Sequence, residues 1–338
     1  MSKVGIIANP ASGKDIRRLV AYGSVFDNQE KVNIVRRALL GLEAAGVEEI
    51  LYMPDYYNIV PRALDSVHLR MDVEPLDMPC EGNQNDSTRA AELLEEGCAK
   101  CIVVLGGDGT NRAVAKGSTA VPFMPISTGT NNVFPFMVES TIAGLAAGFL
   151  ATGIVSVDEA TSATKRLDIL LDGEVVDLAL IDVALYDDIF IGAKAIWDMS
   201  KVKEIILTQA EPSNIGLSSV GGVLLEEGLS QNQGLHMRLG SHMEEGRIEI
   251  TAPVAPGFVR SVYVDAFDVI EVGGVVEFEA APAVLALDGE REVEILPNQI
   301  AAARLSDHGP RVVNIEKTMR LAVQRGRLKA NNIKRKEE

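Results

Sequence analysis

One stretch, Cys101–Lys116, constrains the fold more than any other part of the chain. Its apolar beginning, Cys101–Leu105, predicts a buried β-strand. The glycines after it predict a tight turn, and the next residues predict a helix capped by Thr110 or Asn111. Because the first amide groups of a helix are free to donate and the helix dipole is positive there, this order of elements suits a phosphate chain.

A carboxylate lies in the middle of this predicted phosphate site. Gly106, Gly107 and Gly109 surround Asp108, and their lack of Cβ atoms lets a ligand approach the backbone closely. An acid beside phosphates either holds a magnesium ion or takes a proton from an attacking hydroxyl. In the structural alternative Asp108 only caps the helix. Three glycines around one acid favour the functional interpretation.

The length of 338 residues predicts two domains. Residues 1–153 alternate strand and helix patterns, which predicts an α/β domain with a parallel sheet covered on both faces. Residues 154–312 carry short alternating runs separated by glycine turns, which predicts a mostly antiparallel β domain. We expect one helix inside it, at 191–206. Residues 313–338 predict an amphipathic helix that packs back on the first domain, followed by a basic tail.

The charge balance limits the classes of partner. The chain has 32 basic and 48 acidic residues, a net charge of −16 and an isoelectric point near 4.8. Such a balance argues against nucleic acid and anionic membranes as partners, although a local nest of amide groups can still bind phosphate. The sequence shows neither a signal peptide nor a membrane-spanning run, and its three cysteines form no disulfide framework. We expect a cytoplasmic protein.

Two further polar loops follow predicted strands of the first domain. One contains Asn9, Ser12 and Gly13, and the other, Ser127–Asn132, is rich in hydroxyl and amide groups. Because the carboxyl ends of parallel strands meet at one edge of a sheet, we expect both loops to join the glycine turn in one pocket. The first loop lacks the first glycine and the closing Lys-Ser/Thr pair of a Walker A sequence.

Two stretches of the second domain carry polar side chains. Ser218 and Ser219 belong to a loop rich in donors that can face the cleft. Asp288 and Glu290 flank Gly289 in a predicted turn, where they can ligate a metal or hold a substrate hydroxyl. By itself, an Asp-Gly pair is usually only a hairpin turn.

Together, these loops resemble those of the superfamily that contains NAD kinases and the diacylglycerol- and sphingosine-type lipid kinases. The shared elements are NPxSG at Asn9–Gly13, GGDGT at Gly106–Thr110, TGTN at Thr128–Asn131 and DGE at Asp288–Glu290. GGDGT after an apolar strand is the specific element, and the resemblance covers nearly the whole chain. NPASGKDIRRL, DGTNRAVAK, NNVF and GLSSVGG look most similar to the acetoin-catabolism X branch, which is ATP-NAD-kinase-like.

The resemblance implies a Rossmann-like first domain of the NAD-kinase type, with ATP in the cleft between the domains and Mg²⁺ present. The γ-phosphate would pass to a hydroxyl group of a small molecule. Asp108 is then the first candidate catalytic carboxylate, as base or metal organiser, Glu290 is the second candidate base, and Asp288 joins Asp108 as a candidate metal ligand. The residues expected to contact ATP are Asn9, Ser12, Gly13, Gly106, Gly107, Gly109, Thr110, Thr128, Gly129, Thr130 and Asn131. Those expected to contact the substrate are Asn132, Asp182, Ser218 and Ser219.

One departure from the NAD-kinase pattern bears on the acceptor. NAD kinases carry an Asn-Glu or Asn-Asp pair that holds ribose hydroxyls, whereas this chain has Asp182 preceded by Ile181. NAD is the default acceptor, and the alternatives are a lipid kinase or a nucleotide-binding regulatory protein without transfer. A dehydrogenase is disfavoured, because no GxGxxG turn with a later ribose-binding acid occurs. The resemblance also suggests a homo-oligomer, for which we expect a dimer, and acetoin catabolism as the context.

Overall fold

The computed structural model describes residues 1–13, 22–23, 26–129, 131–188, 199–240, 247–279 and 282–328. Three parts of the sequence predictions lie outside these ranges. They are Thr130 in the third loop, residues 191–198 of the expected helix, and the end of the basic tail from residue 329 onward.

Strands and helices alternate in the first half of the chain, and strands dominate the second half. The strands are β1 (Lys3–Ala8), β2 (Glu49–Tyr52), β3 (Asp72–Pro75), β4 (Cys101–Gly106), β5 (Phe123–Ser127), β6 (Thr161–Ser162), β7 (Arg166–Leu171), β8 (Glu174–Ala179), β9 (Asp182–Tyr186), β10 (Val202–Leu207), β11 (Gln233–Gly240), β12 (Ile248–Ala255), β13 (Phe258–Glu271), β14 (Val275–Glu277), β15 (Ala283–Leu287), β16 (Glu290–Ile295), β17 (Ala301–Ser306) and β18 (Val312–Val313). The α-helices are α1 (Asn28–Ala44), α2 (Ile59–Leu64), α3 (Gln84–Glu96), α4 (Asp108–Gly117), α5 (Ser140–Ala151), α6 (Val157–Ala160), α7 (Leu217–Leu224) and α8 (Ile315–Gln324), and a 3₁₀ turn spans Met199–Lys201.

The first sheet has the strand order β3-β2-β1-β4-β5-β18-β6, and its neighbouring strands are parallel except β18 with β6. Strand β4 shows why its sequence is continuously apolar. Cys101, Val103 and Leu105 belong to the core under α1 and α5, whereas Ile102 and Val104 belong to the core under α3 and α4. A central parallel strand buries both of its faces. The prediction of an α/β fold with a parallel sheet is confirmed.

The second region consists of two antiparallel sheets packed face to face. Their strand orders are β12-β13-β11-β10-β9-β15-β16 and β14-β17-β7-β8. Ile206 and Leu285 of the larger sheet share a core with Leu305 of the smaller one. On the other face of the larger sheet, Val220 of α7 packs against Leu235. The prediction of a mostly antiparallel β region is confirmed.

The end of the described chain returns to the first sheet. Strand β18 lies between β5 and β6, and α8 follows it and packs against α5 and α6. Ala322 of α8 is fully buried in the same core as α1 and α5. Within the described ranges, no helix is both long enough and apolar enough to cross a membrane.

Three local predictions are wrong. Helix α4 begins at Asp108 with Gly107 as its N-cap, so Thr110 and Asn111 lie inside the helix. The expected helix at 191–206 gives way to strand β10 over Val202–Leu207. The end of that strand, Ile205–Leu207, is buried on both faces between two layers, which removes the alternation that identifies a strand. Residues 86–88, Asp-Ser-Thr, predict the N-cap of α3, but the helix begins at Gln84, and Asn83 Oδ1 accepts from the amide of Asn85.

Candidate functional site

Three loops meet at the carboxyl ends of β1, β4 and β5. Asn9 Nδ2 donates to Thr110 Oγ1 at 2.9 Å, which joins the first loop to the glycine turn. The hydroxyl oxygens of Ser12 and Thr128 lie 2.9 Å apart, which joins the first loop to the third. The amide of Thr128 donates to the carbonyl of Gly106 at 3.3 Å. The structure thus brings together the three loops that the sequence predicts to form one pocket.

The glycines of the turn are required by close packing rather than by left-handed backbone angles. A Cβ atom at Gly106 would lie 2.3 Å from Thr110 Cβ, and one at Gly107 would lie 2.6 Å from Asn132 Oδ1. Neither glycine has a positive φ. Gly13 of the first loop differs, because its φ is +72° and a Cβ atom there would lie 2.9 Å from the carbonyl oxygen of Thr128.

Asp108 ties the glycine turn to the third loop. Its Oδ1 accepts from the amides of Phe134 at 2.8 Å and Val133 at 3.0 Å, and its Oδ2 lies 3.1 Å from the Val133 amide. The carboxylate is half-buried at the first position of α4, beyond the N-cap residue Gly107. These two amides fix the orientation of the carboxylate.

Glu290 brings a second carboxylate to the same place from the second region. It is the first residue of β16 and is half-buried. A Cβ atom at Gly109 would lie 3.1 Å from Glu290 Oε1 and 3.4 Å from Oε2, so the carboxylate rests against the first turn of α4. The positive end of the helix dipole favours negative charge at this position. Asp108, the first residue of α4, and Glu290, which comes from the second region, therefore both lie at the start of one helix.

The residues present fit a magnesium ion held together with nucleotide phosphates. Within the described part of the chain, no cluster of three or more His, Cys, Asp and Glu side chains is arranged to hold a metal. Magnesium in phosphotransfer sites is usually bound by one or two carboxylates and by substrate phosphates, so it does not need such a cluster. Asp108 and Glu290 supply that number of carboxylates.

Asp288 lies in the interior below this helix start. Asp288 and Gly289 form the tight turn between β15 and β16, with φ values of +51° and +76°. The carboxylate is fully buried, and its Oδ1 accepts from the amides of Ile181 at 2.7 Å and Leu180 at 3.0 Å. Burial raises the pKa of Asp288, while the nearby Arg112 guanidinium and the amides act in the opposite direction. Asp288 already accepts from two backbone amides and faces the Arg112 guanidinium, and its role as a metal ligand stays a prediction.

Arg112 is a residue of the site that no sequence prediction included. Its side chain is fully buried, and its three nitrogens face carboxylates of the second region. The separations are 3.4 Å to Asp177, 3.8 Å to Asp288 and 3.0 Å to Glu292. The available signal was an arginine within the apolar run of the predicted helix. Its partners were not visible, because they lie far along the chain.

Lys31 of α1 binds the first loop from the side of the core, and no sequence prediction included this residue. Its ammonium group is fully buried and donates to the carbonyl oxygens of Ser12 at 2.8 Å, Asn9 at 2.9 Å and Pro10 at 3.3 Å. It also donates to Asn28 Oδ1 at 3.2 Å on its own helix. One buried cation thus holds the carbonyl groups of Asn9, Pro10 and Ser12 on the side of the core.

Amide side chains organise the third loop. Asn132 Nδ2 donates to Ser127 Oγ at 2.8 Å and to the carbonyl oxygen of Gly129 at 3.3 Å. Asn131 Oδ1 and Asn111 Oδ1 are buried and have no hydrogen-bond partner among the described residues. Buried acceptors of this kind normally have partners, so these two oxygens are candidates to accept from a ligand.

The remaining predicted substrate residues lie in the second region. Asp182 begins β9 with a buried side chain, and its amide donates to Asp288 Oδ1 at 3.3 Å. Ser218 and Ser219 are fully buried in the first turn of α7. Ser219 Oγ donates to the carbonyl of Gly216 at 2.6 Å, and Ser218 Oγ to that of Ile215 at 3.4 Å. No hydrogen bond between described residues links either serine to the three loops.

Comparisons with known proteins cover both regions. Residues 4–154 match the family model of the ATP-NAD kinase N-terminal domain, and residues 165–308 match that of the acetoin catabolism protein X C-terminal domain. Acetoin catabolism protein X of Cupriavidus necator is 38% identical over 332 residues, which cover 94% of this chain and 92% of that protein. Among solved structures, yeast NADH kinase complexed with NADH is similar with a TM-score of 0.48 at 12% identity, covering 99% of this chain and 90% of that one.

Proposed function

The chain belongs to the acetoin catabolism protein X family, and from this premise we propose that it is an ATP-dependent kinase that phosphorylates a hydroxyl group of a small molecule. The observation that carries the proposal is the contact of Glu290 with Gly109, which brings an acid of the second region to the glycine turn of the first. A helix start favours phosphate, and a carboxylate beside it can accept the proton of an attacking hydroxyl.

We assign the phosphates of ATP to the three joined loops. The pairs Asn9–Thr110 and Ser12–Thr128 bond to each other, so the loops support one another's positions. Phosphoryl transfer depends on positioning and on neutralising charge more than on covalent help from the protein. The residues assigned to ATP are those of the sequence prediction, namely Asn9, Ser12, Gly13, Gly106, Gly107, Gly109, Thr110, Thr128, Gly129, Thr130 and Asn131.

The two carboxylates receive different roles. When bound, Mg²⁺ would neutralise the charge on the β- and γ-phosphates. Asp108 is our candidate to organise that ion, since the amides of Val133 and Phe134 hold its carboxylate in one orientation. Glu290 is our candidate base for the acceptor hydroxyl, because it lies over Gly109 on the side of the second region.

The acceptor is proposed to be a hydroxyl compound that lies between Glu290, Asn132 and Asp182. NAD is the default by family, but Ile181 is almost fully buried and its amide is bonded to Asp288. The hydrocarbon side chain of Ile181 therefore offers no polar group to a ribose hydroxyl. We do not assign Ser218 and Ser219 to the acceptor, because their hydroxyls donate to the carbonyls of Ile215 and Gly216, and that of Ser219 also to the carbonyl of Pro253.

A lipid acceptor is the second candidate, and one surface feature favours it. Phe136 and Met137 follow the loop that Asp108 holds, and they are 49% and 59% exposed. Two neighbouring apolar side chains at the edge of the site can contact an acyl chain.

The test is transfer of labelled γ-phosphate from Mg-ATP by the purified protein. NAD, a panel of soluble diols and diacylglycerol in mixed micelles are offered in parallel. Asp108→Asn and Glu290→Gln should bind nucleotide and transfer phosphate only at a low residual rate, while the matched control Glu294→Gln, an exposed acid on the same strand, should keep the wild-type rate. Label on any acceptor identifies the substrate class.

Two results would overturn the kinase proposal. Nucleotide binding without transfer to any acceptor would favour a regulatory nucleotide-binding protein instead. Normal transfer by Asp108→Asn and Glu290→Gln would remove both carboxylates from the mechanism.

We also propose a homodimer, for which light scattering coupled to size-exclusion chromatography should report twice the mass of one chain.

A further inference from the structure

We propose that Arg112 is a positioning residue that fixes the carboxylate of Glu290 over the first turn of α4. The proposal rests on the kinase function above, and it assigns a role to a buried cation that lies outside the pocket. Arg112 acts through the turn that carries Glu290, not by contact with a substrate.

One face of α4 is in register with the turn between β15 and β16. Gly109 and Arg112 are three residues apart in α4 and so lie on the same face of the helix. Glu290 rests against Gly109, and Asp288 lies 3.8 Å from the guanidinium of Arg112. The two acids that flank Gly289 therefore contact α4 at two successive levels. Fixing Asp288 also fixes the height of Glu290 along the helix.

The Arg112 guanidinium lies among three acids, which explains why this position needs an arginine. The Arg112 nitrogens face Asp177 of β8, Asp288 of the turn and Glu292 of β16. Among the described residues only Nη1 makes a hydrogen bond, to Asp177, while Nε and Nη2 face Asp288 and Glu292 as ion pairs. A planar guanidinium spreads its charge toward all three acids, whereas an ammonium group is a point charge. Because the Arg112 and Asp288 side chains are both fully buried, loss of the cation would leave a buried carboxylate without its ionic partner. The turn would then have to move or admit water.

Loss of Arg112 should disturb the acceptor side and leave the nucleotide loops in place. Asp288 also accepts from the amides of Leu180 and Ile181, and its own amide donates to the carbonyl of Asp182 at 2.9 Å. Loosening Asp288 therefore loosens the start of β9. The hydrogen bonds that join the three nucleotide loops involve neither Arg112 nor Asp288. Loss of Arg112 should lower turnover and leave the binding of ATP largely unchanged.

The kinetic test compares Arg112→Gln and Arg112→Lys with the wild-type chain, using Mg-ATP and the acceptor that the transfer assay identifies. We expect kcat to fall about 100-fold, the usual cost of displacing a reacting group by about 1 Å, with little change in the KM for ATP. Lys116→Met is the matched control. Lys116 lies on the same helix and binds the same Asp177 at 2.7 Å, but it is partly exposed. That variant should transfer phosphate at nearly the wild-type rate.

A double variant separates positioning from general damage. If Arg112 acts through Glu290, adding Arg112→Gln to Glu290→Gln should cause no further loss of kcat. If the two losses multiply, the proposal is overturned, because Arg112 then supports transfer by another route. Should Arg112→Gln fail to fold, Glu292→Gln weakens the same cluster by removing one of its three carboxylates, and the same comparison applies.

Hydrogen exchange gives a readout that does not depend on turnover. In Arg112→Gln, the amides of Leu180 and Ile181 should exchange faster, while the amides of Val133 and Phe134, held by Asp108, should keep their protection. Unchanged exchange at Leu180 and Ile181 would overturn the proposal even if activity falls. If the wild-type protein transfers no phosphate, the kinase function fails, and exchange still decides whether Arg112 fastens the turn.

Discussion

Replacing Gly109 with alanine should lower phosphoryl transfer without lowering stability. Gly109 is the second residue of α4, and its φ is not positive, so alanine fits its backbone. Alanine is more favourable than glycine in a helix by about 0.5–1 kcal/mol. We expect the lower end of that range, because the position is close to the helix start.

The new methyl group would crowd the carboxylate of Glu290. The added Cβ atom would lie 3.1 Å from Oε1 and 3.3 Å from Cδ of Glu290, closer than ordinary van der Waals contact. The carboxylate must move by a few tenths of an ångström to restore normal contact distances. Since the side chain is long and half-buried, this movement costs little stability. The free energy of unfolding should therefore stay unchanged or rise by up to about 0.5 kcal/mol.

The same movement should be costly for the reaction. Misplacement of a reacting group by about 1 Å can cost about 100-fold in rate, so a few tenths of an ångström corresponds to about 5-fold in kcat. The measurements are urea unfolding for stability, calorimetric titration with Mg-ADP for binding, and labelled phosphate transfer for kcat. Gly109→Ala placed in a Glu290→Ala background is the control, since no carboxylate is left to displace. Full activity in Gly109→Ala, or an equal further loss in the control, would refute the reasoning.

Three other predictions test separate parts of the structure. Lys31→Met should leave the carbonyls of Asn9 and Ser12 without a donor, lowering the free energy of unfolding by about 1–3 kcal/mol and weakening Mg-ADP binding; unfolding and titration data that match the wild type would contradict this. Burial raises the pKa of the Cys101 thiol to about 12, so iodoacetamide should modify only the exposed Cys80 and Cys98 in the native protein, and mass spectrometry should find a third adduct only after unfolding. Hydrogen bonds from Ser156 and then Arg325 lower the pKa of Glu159 from 4.5 to about 2, so its stabilising contribution is complete above pH 4.5 and is lost as the pH falls toward 2. A midpoint near 4.5 in an NMR titration of Glu159 would contradict that contact.

The α/β region was predictable because its signals are local. The apolar run of β4, the glycine turn and the helix after it lie within one short stretch, and each element follows from its own residues. Strand β10 was not predictable in the same way. Its last residues, Ile205–Leu207, are buried on both faces and so show no alternation, and a short apolar run without alternation fits a helix or a strand equally well.

The missed site residues share one physical cause. Lys31 contacts carbonyl groups that lie 19 to 22 residues earlier, and Arg112 contacts Asp177, 65 residues later. A backbone carbonyl can be an acceptor whatever its residue type, so the sequence around Lys31 does not reveal its partners. Glu290 was identified only because a short motif marks it. The same holds for Asp108, whose amide partners Val133 and Phe134 have apolar side chains.

The first turn of α4 explains why so short a motif can define a site built from distant segments. Asp108 holds the amides of the third loop, Gly109 leaves room for Glu290, and Arg112 binds the acids below it. These positions lie within five consecutive residues of one helix, so a rigid element fixes the relative positions of the three segments. Gly109 is needed where the second region approaches closely, and Arg112 where that region is fastened. Changing Arg112 should affect the acceptor side while the nucleotide loops, which are joined by their own hydrogen bonds, keep their geometry.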